Sequence, residues 1–291
     1  MRVIDVRTGE GREVEGGVLR ELWWSGFPED KGQDLEAFWS LYLSDARWYG
    51  LWEEGQLVSM SLCRPQLFCG EGGKGFYRGG FIVGVVTHPS WRGRGLSSEI
   101  LKFIACHQRQ EGVQLLRLST YIPTFYERLG YLAFGRHYKI LLEPELAASV
   151  SSPYRTYWLA REERDLLPPF YKEHCGWGST WRDEGEWERR WRSGGRTLVI
   201  SREDPQGSPK IRAYLWQEEE TLWNEVVASD LESLQAAANF LGKAAAAILV
   251  QPQLAQAWSK AGRAWQGDSW QMVLPLDDTI RVQEGWGWED W

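Results

Sequence analysis

The sequence predicts a mixed α/β fold built as two domains with the same order of elements, and three observations predict it. Short β-branched runs alternate with stretches of 3.6-residue apolar periodicity along the whole chain. The length, 291 residues, is about twice that of an ordinary domain. The stretch Glu143-Pro-Glu-Leu-Ala-Ala-Ser-Val-Ser-Ser-Pro153 is small, polar and bounded by prolines, which marks a break. The expected organisation is a first domain over 1–145, a linker over 146–154, a second domain over 155–280 and a tryptophan-rich tail over 281–291.

In the first domain a strand is expected over 2–6, helices over 13–24 and 34–42, and strands over 47–53 and 56–68. The turn Glu71-Gly-Gly-Lys-Gly75 leads into a further strand containing Ile82, Val83, Val85 and Val86, which Pro89 ends because it cannot join a ladder. From Leu96 the period becomes helical, with Leu96, Ile100, Leu101, Phe103, Ile104 and His107 on one face. A strand around Leu115 to Thr120 and one over 138–142 complete the domain. In the second, strands are expected over 155–160, 196–201, 210–216, 222–228, 247–250 and 270–274, with helices over 162–174, 184–191, 231–246 and 252–262.

The chemistry concentrates where the motif strand meets its helix. Gly93 and Gly95 permit positive φ and close approach of backbone to a ligand, and the first N–H groups of the helix have no intrahelical acceptor. Such a turn takes oxygen anions, a pyrophosphate above all. Arg92 and Arg94 add charge. The Lys-Ser/Thr ending of a nucleotide P-loop and the spacing of a dinucleotide fingerprint are both absent.

The order Arg92-Gly93-Arg94-Gly95-Leu96-Ser97 resembles the (Gln/Arg)-x-x-Gly-x-(Gly/Ala) signature of the GNAT superfamily of acyl-CoA-dependent N-acyltransferases, with Ser97 standing where that pattern prefers Gly or Ala. Downstream, Phe125-Tyr-Glu-Arg-Leu-Gly-Tyr131 resembles the superfamily's Phe-Tyr-x-x-x-Gly-Phe/Tyr helix. Gly79-Gly80 leading into Val85-Val-Thr-His-Pro-Ser-Trp-Arg-Gly-Arg-Gly-Leu96, with a second domain behind, is most similar to the Eis (enhanced intracellular survival) branch.

This resemblance implies tandem GNAT folds, each a mostly antiparallel central sheet flanked by helices; members of the branch usually add a sterol-carrier-like third domain, which is expected to be lacking here. It implies acetyl-CoA as co-substrate, with Val85, Val86 and Thr87 pairing with the pantetheine arm, Arg92, Gly93, Arg94, Gly95, Leu96 and Ser97 around the pyrophosphate, and Ser119 on the neighbouring strand. Tyr126 matches the general acid that meets the departing thiolate. The implied acceptor is a primary amine: a small cationic amine, an aminoglycoside-like compound or a lysine side chain. Assembly as a homo-oligomer is left open.

Recognition of the amine is expected from Glu29 and Asp30, following Trp24; the tail either returns to present Glu289, Asp290 or the Trp291 carboxylate or is a loosely packed end. The pair Glu29-Asp30 equally suits a solvated connecting loop. No carboxylate lies on the strand from Phe81 to Val86, so the base is unassigned among His88, Glu29, Asp30, Glu53 and the tail. In the second domain Ser229-Asp230 replaces the glycine loop, an N-cap that leaves no anion cradle. That domain is expected to be a degenerate GNAT-like copy that shapes the substrate cleft, with an unrelated α/β domain as the alternative.

Composition narrows partners. With 33 basic against 40 acidic residues the net charge is -7, so no global field attracts nucleic acid or an anionic membrane. Four cysteines without paired spacing suggest neither structural zinc nor a disulfide framework, and no metal is expected. A reducing cytoplasm fits, since no apolar run approaches membrane-spanning length. The 19 tryptophans outnumber 11 tyrosines and 10 phenylalanines, too many for all to be functional. Most are expected in cores, with a minority free to stack on a sugar or cation. That surplus motivates the rival reading, a catalytically inactive scaffold that binds glycans or amines.

Overall fold

The computed structural model describes residues 1–32, 34–70, 75–144, 153–174, 180–218, 222–249, 254, 257–258, 265–277, 280 and 282. Contacts divide the chain into two units: Met1–Phe68 with Tyr77–Ala133 and Met272–Val282, and Cys69–Phe76 with Phe134–Gln271. The first unit is therefore discontinuous, and a segment from far along the chain completes it.

In the first unit the strands are β1 (Arg2–Asp5), β2 (Gly11–Glu13), β3 (Arg47–Glu53), β4 (Gln56–Cys69), β5 (Phe76–Thr87) and β6 (Leu115–Thr120). They lie in the order β2-β1-β3-β4-β5-β6. Helices α1 (Gly16–Gly26) and α2 (Leu35–Tyr42) follow β2, α3 (Leu96–Gln110) joins β5 to β6, and the short α4 (Pro123–Glu127) follows β6. The first helix starts at Gly16 rather than Glu13, because Gly11–Glu13 pairs antiparallel with β1. Asp34 begins α2 by accepting from the Ala37 N–H at 3.0 Å.

The core of this unit is aromatic. Trp23, Trp39 and Trp48 are buried with Leu19, Leu22, Met60, Leu62 and Val86, and Trp39 meets Trp23 and Trp48 edge-on at 5.9 and 5.0 Å. Gly79 and Gly80 are glycines because their neighbours leave no room: a Cβ on Gly80 would lie 2.5 Å from the Cys63 sulfur, and one on Gly79 would overlap the Phe68 ring.

The second unit holds β7 (Leu132–Leu142), β8 (Tyr154–Trp158), β9 (Arg196–Glu203), β10 (Pro209–Gln217), β11 (Leu222–Ala228) and β12 (Ala245–Leu249), in the order β7-β12-β11-β10-β9-β8. All pairs are antiparallel except β11 with β12. Its helices are α5 (Leu167–His174), α6 (Glu184–Arg192) and α7 (Leu231–Leu241). The helix expected over 162–174 is a 3-10 turn, Arg161–Leu166, followed by α5, whose first turn accommodates Pro168 and Pro169. The helix expected to reach Ala246 ends at Leu241, where Gly242 takes the left-handed conformation with φ 64°. The strand β13 (Trp265–Pro275) ends the described elements, and from Met272 its residues belong to the first unit. There the Leu276 N–H donates to the Gln114 carbonyl at 2.8 Å and Arg109 Nε to the Leu276 carbonyl at 3.0 Å.

The second core contains a buried charge cluster. Glu225 takes ion pairs from Arg182 and from Arg190, the latter at 3.0 Å, and accepts a 2.6 Å bond from the Tyr214 hydroxyl. Burial pushes its carboxyl pKa up, but the two guanidiniums and the phenol outweigh that and hold it at about 2.

Because the folded pKa lies below the ordinary value of 4.5, the stabilisation from Glu225 is fully present above about pH 4.5 and is lost as the pH falls towards 2. Replacing Glu225 by Gln leaves two guanidiniums buried without their counter-charge. The expected loss is about 3 kcal/mol or more in the second unit, read as a lower thermal midpoint at pH 7 and a smaller wild-type-to-mutant difference near pH 2.

Candidate active site

Strand β5 pairs with β6 in parallel only from Gly79 to Phe81, opposite Leu115 to Arg117. Both strands continue beyond that point, β5 to Thr87 and β6 to Thr120. The backbone past Phe81 therefore faces β6 without a ladder, and its polar groups must find other partners. Gly84 has φ 62° inside the strand, and a Cβ there would lie 2.5 Å from the Trp23 ring. Only glycine lets the strand pass over that indole in this conformation.

Side chains fasten the diverging end from its other side. Ser61 Oγ donates to the Val83 carbonyl at 3.3 Å and Ser59 Oγ to the Val86 carbonyl at 2.8 Å, while the His88 N–H donates to the Val58 carbonyl at 2.8 Å. Ser59 Oγ also lies 2.7 Å from Thr87 Oγ1, which lies 2.7 Å from Ser97 Oγ. Each hydroxyl has one proton. With the Ser59 proton on the Val86 carbonyl, Thr87 donates to Ser59 and Ser97 donates to Thr87. The serine that departs from the expected Gly/Ala thus ties the first turn of α3 to the end of β5, and only its lone pairs remain for a ligand.

The turn itself matches an anion cradle. Gly93 and Gly95 have φ 77° and 79°, and a Cβ on either would meet no atom within 4 Å, so the space beside the start of α3 is open. Gly95 caps α3 with no side chain over the free N–H groups. Leu96 is buried beneath. Arg92 braces the loop, donating from Nε to the Thr87 carbonyl and from Nη2 to the Ser25 carbonyl, each at 3.1 Å. Arg94 lies over the Trp91 ring at 4.4 Å. The pyrophosphate of acyl-CoA fits these groups: backbone donors in front, two cations at the sides, and room for the ligand where a Cβ would otherwise stand.

Tyr126 in α4 is 7 % exposed and packs edge-on against Phe125 at 4.9 Å and Tyr131 at 5.7 Å. Burial pushes its pKa up to about 12, partly offset by a hydrogen bond with the Thr120 side chain at the end of β6. The phenol is therefore protonated throughout the physiological range. Ser119, beside Thr120, is exposed.

The other candidates divide. Asp30 accepts the Trp23 indole N–H at 2.7 Å and so supports the core, whereas Glu29 is exposed in the same 3-10 turn, Pro28–Asp30. Trp24 is half-buried, with its indole N–H lacking an acceptor among the described residues and Arg20 over its ring at 5.6 Å. His88 is exposed and its Nδ1 accepts from the Ser90 N–H at 3.3 Å. Glu53 is ion-paired to Arg7 at 2.6 Å, which lowers its pKa and makes it a poor proton acceptor. Trp291, Glu289 and Asp290 lie outside the described residues. Among the described residues, no three His, Cys, Asp or Glu side chains are grouped to hold a metal ion, and no helix is long and apolar enough to cross a membrane.

Two contributors carried no motif. Arg7 pairs with Glu99 in the first turn of α3 at 3.2 Å as well as with Glu53, so it offsets an acidic charge beside the cradle. Ser59 showed only as a polar residue alternating with Ser61 in an otherwise apolar strand, and both are fully buried.

Comparison with known proteins agrees with this geometry. Residues 12–133 match the acetyltransferase (GNAT) domain family. The chain carries that domain, mostly within its first unit. Among solved structures it is similar to a conserved Enterococcus faecalis protein described as a probable N-acyltransferase, at 15% identity over 90% of this chain and 70% of that one, with TM-score 0.66. It is similar to Eis1 of Mycobacterium abscessus, at 14% identity over 91% and 73%, TM-score 0.59. A tandem GNAT protein from the clavulanic acid biosynthesis pathway aligns at 13% identity over 90% and 96%, TM-score 0.56. At such identities these likenesses show the fold. A search of curated proteins by sequence finds no match.

The hydroxyl relay and the glycine cradle make opposite predictions. Ser97→Ala removes one internal hydrogen bond and is expected to cost about 1 kcal/mol of stability, with acetyl-CoA affinity changed less than about threefold because that proton never faced the ligand. Gly95→Ala forces a side chain to φ 79°, a strain of about 1–2 kcal/mol, and places a methyl group in the cradle. Its acetyl-CoA Kd is expected to rise at least about tenfold, as read by calorimetric titration.

Proposed function

We propose that the first unit transfers an acetyl group from acetyl-CoA to a primary amine by direct attack in a ternary complex. The observation that carries this reading is the end of the β5–β6 ladder at Phe81 and Arg117, after which β5 runs on to the glycine turn Gly93–Gly95 and β6 runs on to α4 and Tyr126; in this reading the cofactor lies where the two strands part. Such a parting suits a pantetheine arm, with the backbone of Val85 to Thr87 along one side and Ser119 on the other.

The chemistry then follows from proton affinities. The neutral amine attacks the thioester carbonyl, the C–N bond forms, and the C–S bond of the tetrahedral adduct breaks to release the CoA thiolate. A phenol with pKa near 12 does not hand its proton outright to a thiolate whose acid has a pKa of about 8.5; full transfer would be uphill by about 5 kcal/mol. Tyr126 instead stabilises the leaving sulfur as a buried hydrogen-bond donor. The proton that completes CoASH is the one lost from the acylated nitrogen, so the products are an amide and a free thiol with no covalent enzyme intermediate.

The acceptor in this reading is a small cationic amine, an aminoglycoside-like compound or a lysine side chain. An excess of acidic residues, net charge -7, favours such a partner. Exposed Glu29 and half-buried Trp24 are its proposed contacts, since Asp30 is already engaged by Trp23. The likeness to Eis1 and to a tandem GNAT protein supports placing the chain with that group. The free thiols of Cys63 and Cys106 suit a reducing cytoplasm.

The test is thiol release from acetyl-CoA across a panel of amines. Release with any of them supports transfer; amine binding with no release would return the inactive-scaffold reading. Tyr126→Phe is expected to lower kcat about 100-fold, while the acetyl-CoA Kd stays within about twofold. Because the phenol pKa is near 12, the wild-type rate should show no alkaline fall from Tyr126 up to about pH 10.

A further inference from the structure

The second unit holds a pocket of about 390 Å³ lined by Trp158, Arg164, Trp191, Gly195, Arg196 and Thr197, where the end of β8 and the start of β9 meet the 3-10 turn and the C-terminal end of α6. Its two cations are mounted alike. Arg196 lies over Trp158 at 4.7 Å, and Trp158 is stacked on the buried Trp223 at 5.9 Å and 19°. Arg164 lies over Trp191 at 4.8 Å, and Trp191 is stacked on the buried Trp187 at 5.3 Å and 22°. Each guanidinium is thus anchored to the core through two indoles, which removes much of the rotamer freedom that surface arginines retain.

Their charges are unspent. Five other arginines of this unit, at 182, 189, 190, 192 and 212, are ion-paired to carboxylates. Neither Arg164 nor Arg196 is ion-paired to a carboxylate among the described residues. The nearby Glu163 carboxylate accepts the Ala160 N–H at 3.0 Å. Arg196 has one fixed partner: its Nε donates at 2.9 Å to the amide oxygen of Gln217, which is 4 % exposed. That bond sets the guanidinium plane and leaves both Nη groups for an acceptor.

Two oriented, unpaired guanidiniums lining one pocket are complementary to a ligand with two negative charges and fork-matching oxygens. We infer that the second unit binds a small organic phosphate monoester in this pocket, its phosphate held by Arg164 and Arg196 and its carbon skeleton against Trp158 and Trp191. The site lies wholly in the unit that has no glycine loop, and its occupancy does not depend on acetyl transfer.

The test titrates the full-length protein with phenyl phosphate while acetyl-CoA saturates the loop of the first unit, following tryptophan fluorescence and heat. Saturable binding is expected, weakened at least about tenfold by Arg164→Gln and by Arg196→Gln and unaffected by Arg202→Gln, which lines a different surface pocket. Both variants should keep the wild-type thermal midpoint and acetyl-CoA affinity. No saturable binding up to about 10 mM, or binding that survives both substitutions, would overturn the proposal. If either Gln variant loses its cooperative thermal transition, Arg164→Lys and Arg196→Lys replace them; each keeps the charge without the fork, and undiminished phosphate affinity in both would equally count against it.

Discussion

The first unit depends on the separation of β5 from β6. A strand that leaves its ladder exposes backbone donors and acceptors whose desolvation would cost a few kcal/mol if they went unpaired. Here the far side of β5 is fastened by Ser59, Ser61 and Arg92, which take the carbonyls of Val86, Val83 and Thr87. The edge towards β6 is left for a ligand. Trp23 lies beneath the strand, and Asp30 orients that indole. The aromatic core and the proposed cofactor site are therefore linked: Gly84, at positive φ, crosses the ring that fills the core just where β5 has left its ladder with β6.

Electrostatics around the cradle follow from the same packing. An acidic residue in the first turn of a helix normally complements the macrodipole, but Glu99 there would also repel a pyrophosphate. Arg7 resolves the conflict by pairing with Glu99 and Glu53 together. Glu53 thereby becomes a structural anion, and the position that sequence alone offered as a base is turned to a different task. Arg92, offered as a phosphate cation, similarly spends two of its donors on holding the loop, one to the end of β5 at Thr87 and one to α1 at Ser25.

Local patterns made the loop and the strand–helix transition legible: Gly93 and Gly95 have the positive φ that glycine spacing implied, and Leu96, Ile100, Leu101 and Ile104 of the expected face are buried. Phe103 and His107 are only half-buried, whereas Gln108, expected on the polar face, is buried where its amide donates to the Tyr49 hydroxyl at 2.9 Å. The tyrosine segment was equally readable. Interactions between distant segments were not. Arg7 reaches Glu99 across 92 positions, and Ser59 reaches Thr87 across 28, and neither pairing leaves a periodic trace. The return of Met272–Val282 to the first unit is of the same kind, because a strand's own residues specify its alternation but not its neighbour. Helix ends moved for local reasons: Gly242 stopped α7 early, and Pro168-Pro169 fitted a first turn rather than a helix interior.

The two units use the same element, a strand running into a helix, with opposite treatment of the helix start. In α7, Asp230 accepts the Ser233 N–H at 2.8 Å and pairs with Arg212 at 2.6 Å, so the N-terminus carries its own anion. A cap of this type contributes about 1 kcal/mol to the helix. In α3, Gly95 contributes no such side chain. In the proposed function an incoming pyrophosphate restores the stabilisation forgone there, its oxygens satisfying the same N–H groups. An aspartate in place of Gly95 would stabilise the helix and fill the cradle at once. The difference between a structural helix and a ligand-binding one thus reduces to whether the capping oxygen is covalently part of the chain.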